Sequence, residues 1–244
     1  MEHEFWVTAV LNQIFGGPVN SLLGALGLHP ENPSQHIPNA LAMEIVVALF
    51  IVVLLGWLRA GLSVERPGRI QQLMEMLFEG IGSQSEEIIG HGGKQFVPIL
   101  FTLGLFIFLC NALGTIPIFE TPTDQISVTA GCALVAFTYY NFWGIRHHGI
   151  VGYGKTFLGP VWWLAPLMLV IELISHMARA LSLSVRLYAN MLAGHRITLV
   201  FFSLVPVVVP ALFGMLHIAV GALQAFIFVL LTTIYLSGAV AEGH

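Results

Sequence analysis

The sequence predicts an all-α integral membrane protein. It has five membrane-spanning helices plus an amphipathic surface helix, the last two long helices forming a tilted hairpin. Three observations carry that prediction. Hydrophobic residues make up 57% of the 244-residue chain and charged residues only 9%, against about 25% charged in soluble domains, and the mean hydropathy is +0.85. The apolar residues gather into stretches of spanning length. The lysines and arginines fall mainly between those stretches.

The whole chain, 1–244, reads as a single membrane domain. Residues 1–39 form an irregular N-terminal segment with no Lys or Arg and without the positive n-region of a cleavable signal peptide. The first span is Ala40 to Leu58, close to the ~20 apolar residues that a ~30 Å hydrocarbon core requires. In residues 66–90, Ile70, Leu73, Met74, Leu77, Phe78 and Ile81 recur at helical spacing opposite Gln71, Gln72, Glu75, Glu79 and Glu86, with Pro67 suited to a first helical position. That pattern is an amphipathic helix lying at the membrane surface. The second span is Phe96 to Ile118, ended by Pro117 and the polar turn "ETPTDQ". The third is Ile126 to Ile145, followed by the Gly-rich connector "RHHGIVGYGKTFLGP".

The last two apolar stretches, within 163–240, are longer than one perpendicular crossing. Trp163 to His195 would reach roughly 50 Å as a helix, against a core of about 30 Å. The final stretch starts at Arg196 on the outer turn and is broken early by Pro206 and Pro210. A tilted hairpin accommodates both lengths.

Arg59, Arg66, Arg69 and Lys94 lie between spans one and two, and Arg146 and Lys155 between three and four. Basic connectors stay in the cytoplasm. The N-terminus, residues 1–39, is therefore extracytoplasmic and the C-terminus cytoplasmic, with Arg196 a single exception on the outer side.

The stretch "SLSVRLYANMLAGH" (182–195) sets Arg186 deep in an apolar run. Glu172, Ser175, Arg179, Ser182, Arg186 and Asn190 recur every three or four residues and share one helix face, extended by Ala189 and Ala193. Small residues there admit a close second backbone. A guanidinium at bilayer depth costs from about 3 to above 10 kcal/mol, so a counter-charge is expected. Of the thirteen acidic residues, Glu172 lies roughly 21 Å away along the axis, and Glu44 begins the first span near a membrane face. The expected carboxylate belongs to another chain; the competing readings are an arginine that snorkels to the surface, bonds backbone carbonyls of its own fold, or only packs between helices.

His195 closes the quoted stretch. His217 and Gln224 share a face of the final helix, about 10 Å apart. Imidazoles exchange protons near neutral pH, whereas a guanidinium keeps its own, so the set resembles a proton path ending at a fixed positive plug. His176, one turn after Glu172, is placed to pair with it. Cys110 and Cys132 match no metal or disulfide spacing and read as small buried hydrophobes. Neither a metal nor a cofactor is expected. No basic patch points to nucleic acid. Two rivals remain at this point: a histidine-rich membrane redox (haem) protein, suggested by ten histidines, and a secondary transporter, which would need repeated halves.

Together "LSVRLYANMLAGH", "LQAFIFVLLTTIYLS", "NALGTIPIFETPT" and "IELISHMARALSLSVRL" resemble subunit a of the F-type rotary ATP synthase, from about Ala40 to the end and most strongly from Glu172 onward. The resemblance implies a proton-translocating stator subunit in a bacterial inner membrane, without bond chemistry of its own. Its implied partners are a ring of c subunits with an essential carboxylate, peripheral-stalk b subunits, lipid and protons. The 163–240 hairpin would face that c ring. By resemblance Arg186 faces the ring carboxylate. Asn190, His195, His217 and Gln224 fall in the outer half-channel, Glu172 at the cytoplasmic exit, and Ser182 beside the path. One departure stands out. Many bacterial members carry glutamate where this chain has His195; others have histidine there and glutamate at the His217 position. Here both are histidine.

Overall fold

Helix α1 spans Asn39–Ala60, in a computed structural model that describes residues 8–9, 12–13, 39–90, 92–114, 121–156, 162–204 and 208–240. Most of the segment expected to be extracytoplasmic, 1–39, lies outside those residues. The regular elements that follow are also helical: α2 Arg69–Ile89, a 3₁₀ turn at Gly93–Phe96, α3 Val97–Leu113, a 3₁₀ turn at Pro122–Asp124, α4 Ile126–Thr156, a 3₁₀ turn at Trp162–Leu164, α5 Ala165–Leu204 and α6 Val208–Val240.

Four helical segments are long and apolar enough to cross a membrane: Asn39–Ala60, Gly93–Leu113, Ala165–Thr198 and Leu212–Val240. The expected third span, in α4, is not among them. Thr138, Tyr139, Tyr140 and Asn141 dilute its apolar run.

Several boundaries differ from the sequence-based expectation, each for a local reason. Pro67 precedes the N-cap residue Gly68 instead of opening α2. Gln71, expected on the polar face, is buried. Its amide exchanges hydrogen bonds with the backbone of Ser63, donating at 3.1 Å and accepting at 3.3 Å, which an apolar side chain could not do. The connector after Ile145 is helical on both sides of a kink at Gly149, whose φ of 70° and ψ of 165° interrupt the helix. Positive φ is open to glycine without steric cost, so the chain reverses there and Tyr153 returns to hydrogen-bond Asn141. Finally, Arg196 is not on a turn. Helix α5 runs on to Leu204, because nothing between His195 and Leu204 breaks a helix and the first stop signal is Pro206. Pro210 falls in the first turn of α6, where its missing N–H removes no intrahelical bond.

Helix α6 is the hub. It packs against α2, α3, α4 and α5, while α1 is held by α3. One core cluster joins Ile107 of α3, Cys132, Ala133 and Ala136 of α4, Leu183, Leu187 and Met191 of α5, and Ala225 and Phe228 of α6. Towards the other end Phe96, Leu100, Tyr140, Val229, Leu236 and Ala239 close a second. Both cysteines are free and buried, as expected. Leu183, Leu187 and Met191 recur every four residues and so fix which face of α5 points inward. The opposite face, carrying Ser182, Val185, Arg186 and Ala189, is left exposed. Large apolar side chains such as Leu49, Val52, Val53 and Trp57 on α1 are also exposed, a surface suited to hydrocarbon.

Candidate functional site

The polar residues of α5 and α6 sort into three levels along the helix pair. At mid-level is Arg186. The burial of Leu183 and Leu187 turns Arg186 outward, and its Nη2 donates to Ser182 Oγ one turn earlier at 3.4 Å. Among the described residues no carboxylate lies within 4.0 Å of its guanidinium: the two ion pairs there are Lys94–Glu86 and Arg179–Glu172. Glu44 does not reach it.

One turn on, Asn190 Nδ2 donates to Gln224 Oε1 of α6 at 3.2 Å. Beyond that come the two histidines. The His217 ring lies directly on the backbone of Gly194, in the space a β-carbon would fill, which brings it beside His195. His217 is buried, and its Nε2 has no hydrogen-bond partner among the described residues. A buried nitrogen without a protein partner carries a cost, and an imidazole can take up or release a proton near neutral pH.

This end of the site contains residues that sequence analysis did not single out. The 121–124 turn packs onto α5, with Thr121 Oγ1 at 3.5 Å from His195 Nδ1. Buried Asn111 ties three elements together: its Nδ2 donates to Gly221 O at 3.1 Å, and Thr123 Oγ1 donates to its Oδ1 at 2.8 Å. Asp124 at the end of the turn is half-buried. Burial pushes its carboxyl above the usual aspartate range, and the nearby His195 and Arg196 pull it back down. The available signal was the single amide in the apolar run 97–113, together with Thr121, Thr123 and Asp124 in the polar turn that follows.

At the opposite end Glu172 pairs with Arg179, Oε1 to Nη2 at 3.4 Å, and Arg179 stacks over the Tyr235 ring at 5.6 Å. His176, expected beside Glu172, turns its Nε2 towards α4 and meets Asn141 Oδ1 at 2.8 Å. Glu172 and Arg186 are fourteen residues apart on one continuous helix, roughly 21 Å. The geometry therefore provides two separate polar regions, one on either side of an outward-facing guanidinium.

The family described as ATP synthase A chain matches residues 41–237 of the sequence. The chain belongs to the ATP synthase A chain family. It is 46% identical to the ATP synthase subunit a of Koribacter versatilis over 100% of both chains. It is 45% identical to that of Solibacter usitatus over 96% of this chain and 100% of the relative. To that of Geotalea daltonii it is 41% identical over 89% of this chain and 94% of the relative. Membership of the A chain family leaves no support for the haem-protein and transporter alternatives. It also gives the outward placement of Arg186 a functional context.

Proposed function

We infer that the chain is the proton-translocating stator subunit of an ATP synthase, and that α5 and α6 form two offset half-channels against a ring of c subunits. The observation that carries this is the exposure of Arg186 on the face of α5 opposite the core, bonded to Ser182 and facing no acid of its own chain among the described residues. A guanidinium at that depth needs a carboxylate, and a rotating ring supplies one.

In this account protons enter from outside through His195 and His217, pass Asn190 and Gln224, and neutralise a ring carboxylate. The neutral carboxyl then travels through lipid. After nearly a full rotation it meets Arg186, whose positive charge favours ionisation, and the released proton leaves past Ser182 and Glu172 to the cytoplasm. Arg186 also repels a proton moving directly between the half-channels. Each proton crossing 100 mV delivers about 2.3 kcal/mol. The chain performs no bond chemistry; ATP is made elsewhere in the complex.

The same reading assigns α4 as a fifth span and α2 as a helix lying at the membrane surface. Helix α5, at 40 residues, is roughly 60 Å long. It fits a ~30 Å core only when steeply inclined, which supports a tilted hairpin wrapping the ring. The positive connectors support a cytoplasmic C-terminus, in what we take to be a bacterial inner membrane. Peripheral-stalk b subunits complete the set of neighbours.

Gentle detergent extraction followed by mass analysis of co-purifying chains tests the assignment. The expected result is a small two-helix protein with a membrane-embedded carboxylate, present in many copies. Purification of the chain as a stable complex lacking any such protein would refute it.

A further inference from the structure

Beyond the residues of the polar stripe, α5 carries a buried histidine that faces away from Arg186. His176 turns into the interface with α4 and is only 7% exposed. It borders a cavity of about 50 Å3 lined by Tyr140, Tyr153, Glu172, His176, Arg179 and Tyr235. The cavity holds the Glu172–Arg179 ion pair on one side and three tyrosines on the others.

The hydrogen bonds around His176 fix its tautomer. Asn141 Nδ2 donates to Phe137 O at 2.7 Å, so its Oδ1 faces the imidazole, and that oxygen only accepts. The 2.8 Å contact between His176 Nε2 and Asn141 Oδ1 therefore has the ring N–H as donor, and Nδ1 is the basic nitrogen. Tyr153 OH donates to the same Oδ1 at 2.9 Å. Tyr153 reaches it only because the chain reverses at Gly149. Tyr140 OH lies 3.4 Å from Nε2. Asn141, braced by the Tyr153 hydroxyl, thus clamps the imidazole, with the Tyr140 hydroxyl alongside Nε2.

Position along α5 gives the clamp its meaning. His176 is one turn from Glu172 and ten residues, roughly 15 Å, from Arg186, between the ring contact and the exit acid. We propose that His176 is a proton-relay group of the cytoplasmic half-channel, positioned by Asn141 and by the folded-back segment that carries Tyr153. A proton released by the ring binds Nδ1 and makes an imidazolium whose Nε2–H stays on Asn141. Loss of that proton from Nδ1, towards the Glu172 carboxylate and then cytoplasmic water, restores the neutral ring. The charged and titratable groups around it are Glu172 and Arg179 on its own helix, Tyr140 and Tyr153 from α4, and Tyr235 from α6.

This inference rests on the stator reading above. Passive proton conduction through the membrane sector, with the complex in lipid vesicles and its soluble head removed, separates the two. Absence of conduction in the unmodified complex would undo the stator reading itself. If the unmodified complex conducts, His176→Gln is expected to slow conduction several-fold, with the loss greatest where the cytoplasmic-side pH lies near the histidine range. Asn141→Asp places a carboxylate on Nε2–H and is expected to move the midpoint of the cytoplasmic-side pH profile upward by about one unit. A residue that only packs would not respond in that direction. Profiles for both variants superimposable on the unmodified complex would overturn the relay.

Discussion

Asn190 on α5 donates its side-chain amide to Oε1 of Gln224 on α6 at 3.2 Å. The bond crosses the hairpin one turn from Arg186, where the two helices also share the Leu187, Met191, Ala225 and Phe228 core. It therefore ties α6 to the helix that presents the guanidinium.

Interhelical hydrogen bonds in membranes average about 0.6 kcal/mol, so Asn190→Leu leaves the complex assembled. Its expected effect is on transport: ATP-driven acidification of vesicles falls several-fold, while ATP hydrolysis by the detached head is unchanged. Gln224→Leu is expected to give the same phenotype. The double variant is expected to lose little more than either single one, because both remove one bond. Fully additive losses in a double-mutant cycle would show that the two amides act independently.

Asp124 gives a pH prediction with a definite sign. Burial raises its carboxyl above the usual range, while His195 and Arg196 lower it. A raised carboxyl binds its proton more tightly in the folded chain. Its contribution to stability is complete below the unfolded aspartate range and is lost as pH rises through the folded value. Arg196→Gln removes one of the lowering charges and is expected to move the Asp124 titration to higher pH. Infrared titration of the reconstituted variant, against Asp124→Asn as the blank, reads this as a protonated carboxyl band persisting to higher pH. A shift to lower pH would contradict the arrangement.

Much of the site was legible because depth in a membrane is a sequence property. A polar or charged residue within an apolar run is costly wherever it points, so Arg186, Asn190, His217 and Gln224 stand out without coordinates. Helical spacing then puts Glu172, Ser182 and Arg186 on one face. Contacts between elements were not legible. Neither the seat of His217 on Gly194 nor the reach of Thr121 to His195 follows from any spacing, since each depends on how distant segments dock. The boundaries failed for a related reason. Apolar connector residues such as those after Arg196 continue a helix unless a proline stops it, and Gly149 bends the chain back where a loop was expected. Gln71 shows the limit of polarity patterns: a side chain that satisfies nearby backbone is drawn inward despite its polarity.

The central claim is that the guanidinium of Arg186 faces a carboxylate supplied by a rotating neighbour and separates two proton paths. The most direct measurement compares Arg186→Ala with the unmodified complex in vesicles, following ATP-driven proton pumping and passive proton conduction together. The account predicts that pumping is abolished while passive conduction persists, because the barrier between the half-channels is gone. Pumping at the unmodified rate in Arg186→Ala would contradict it.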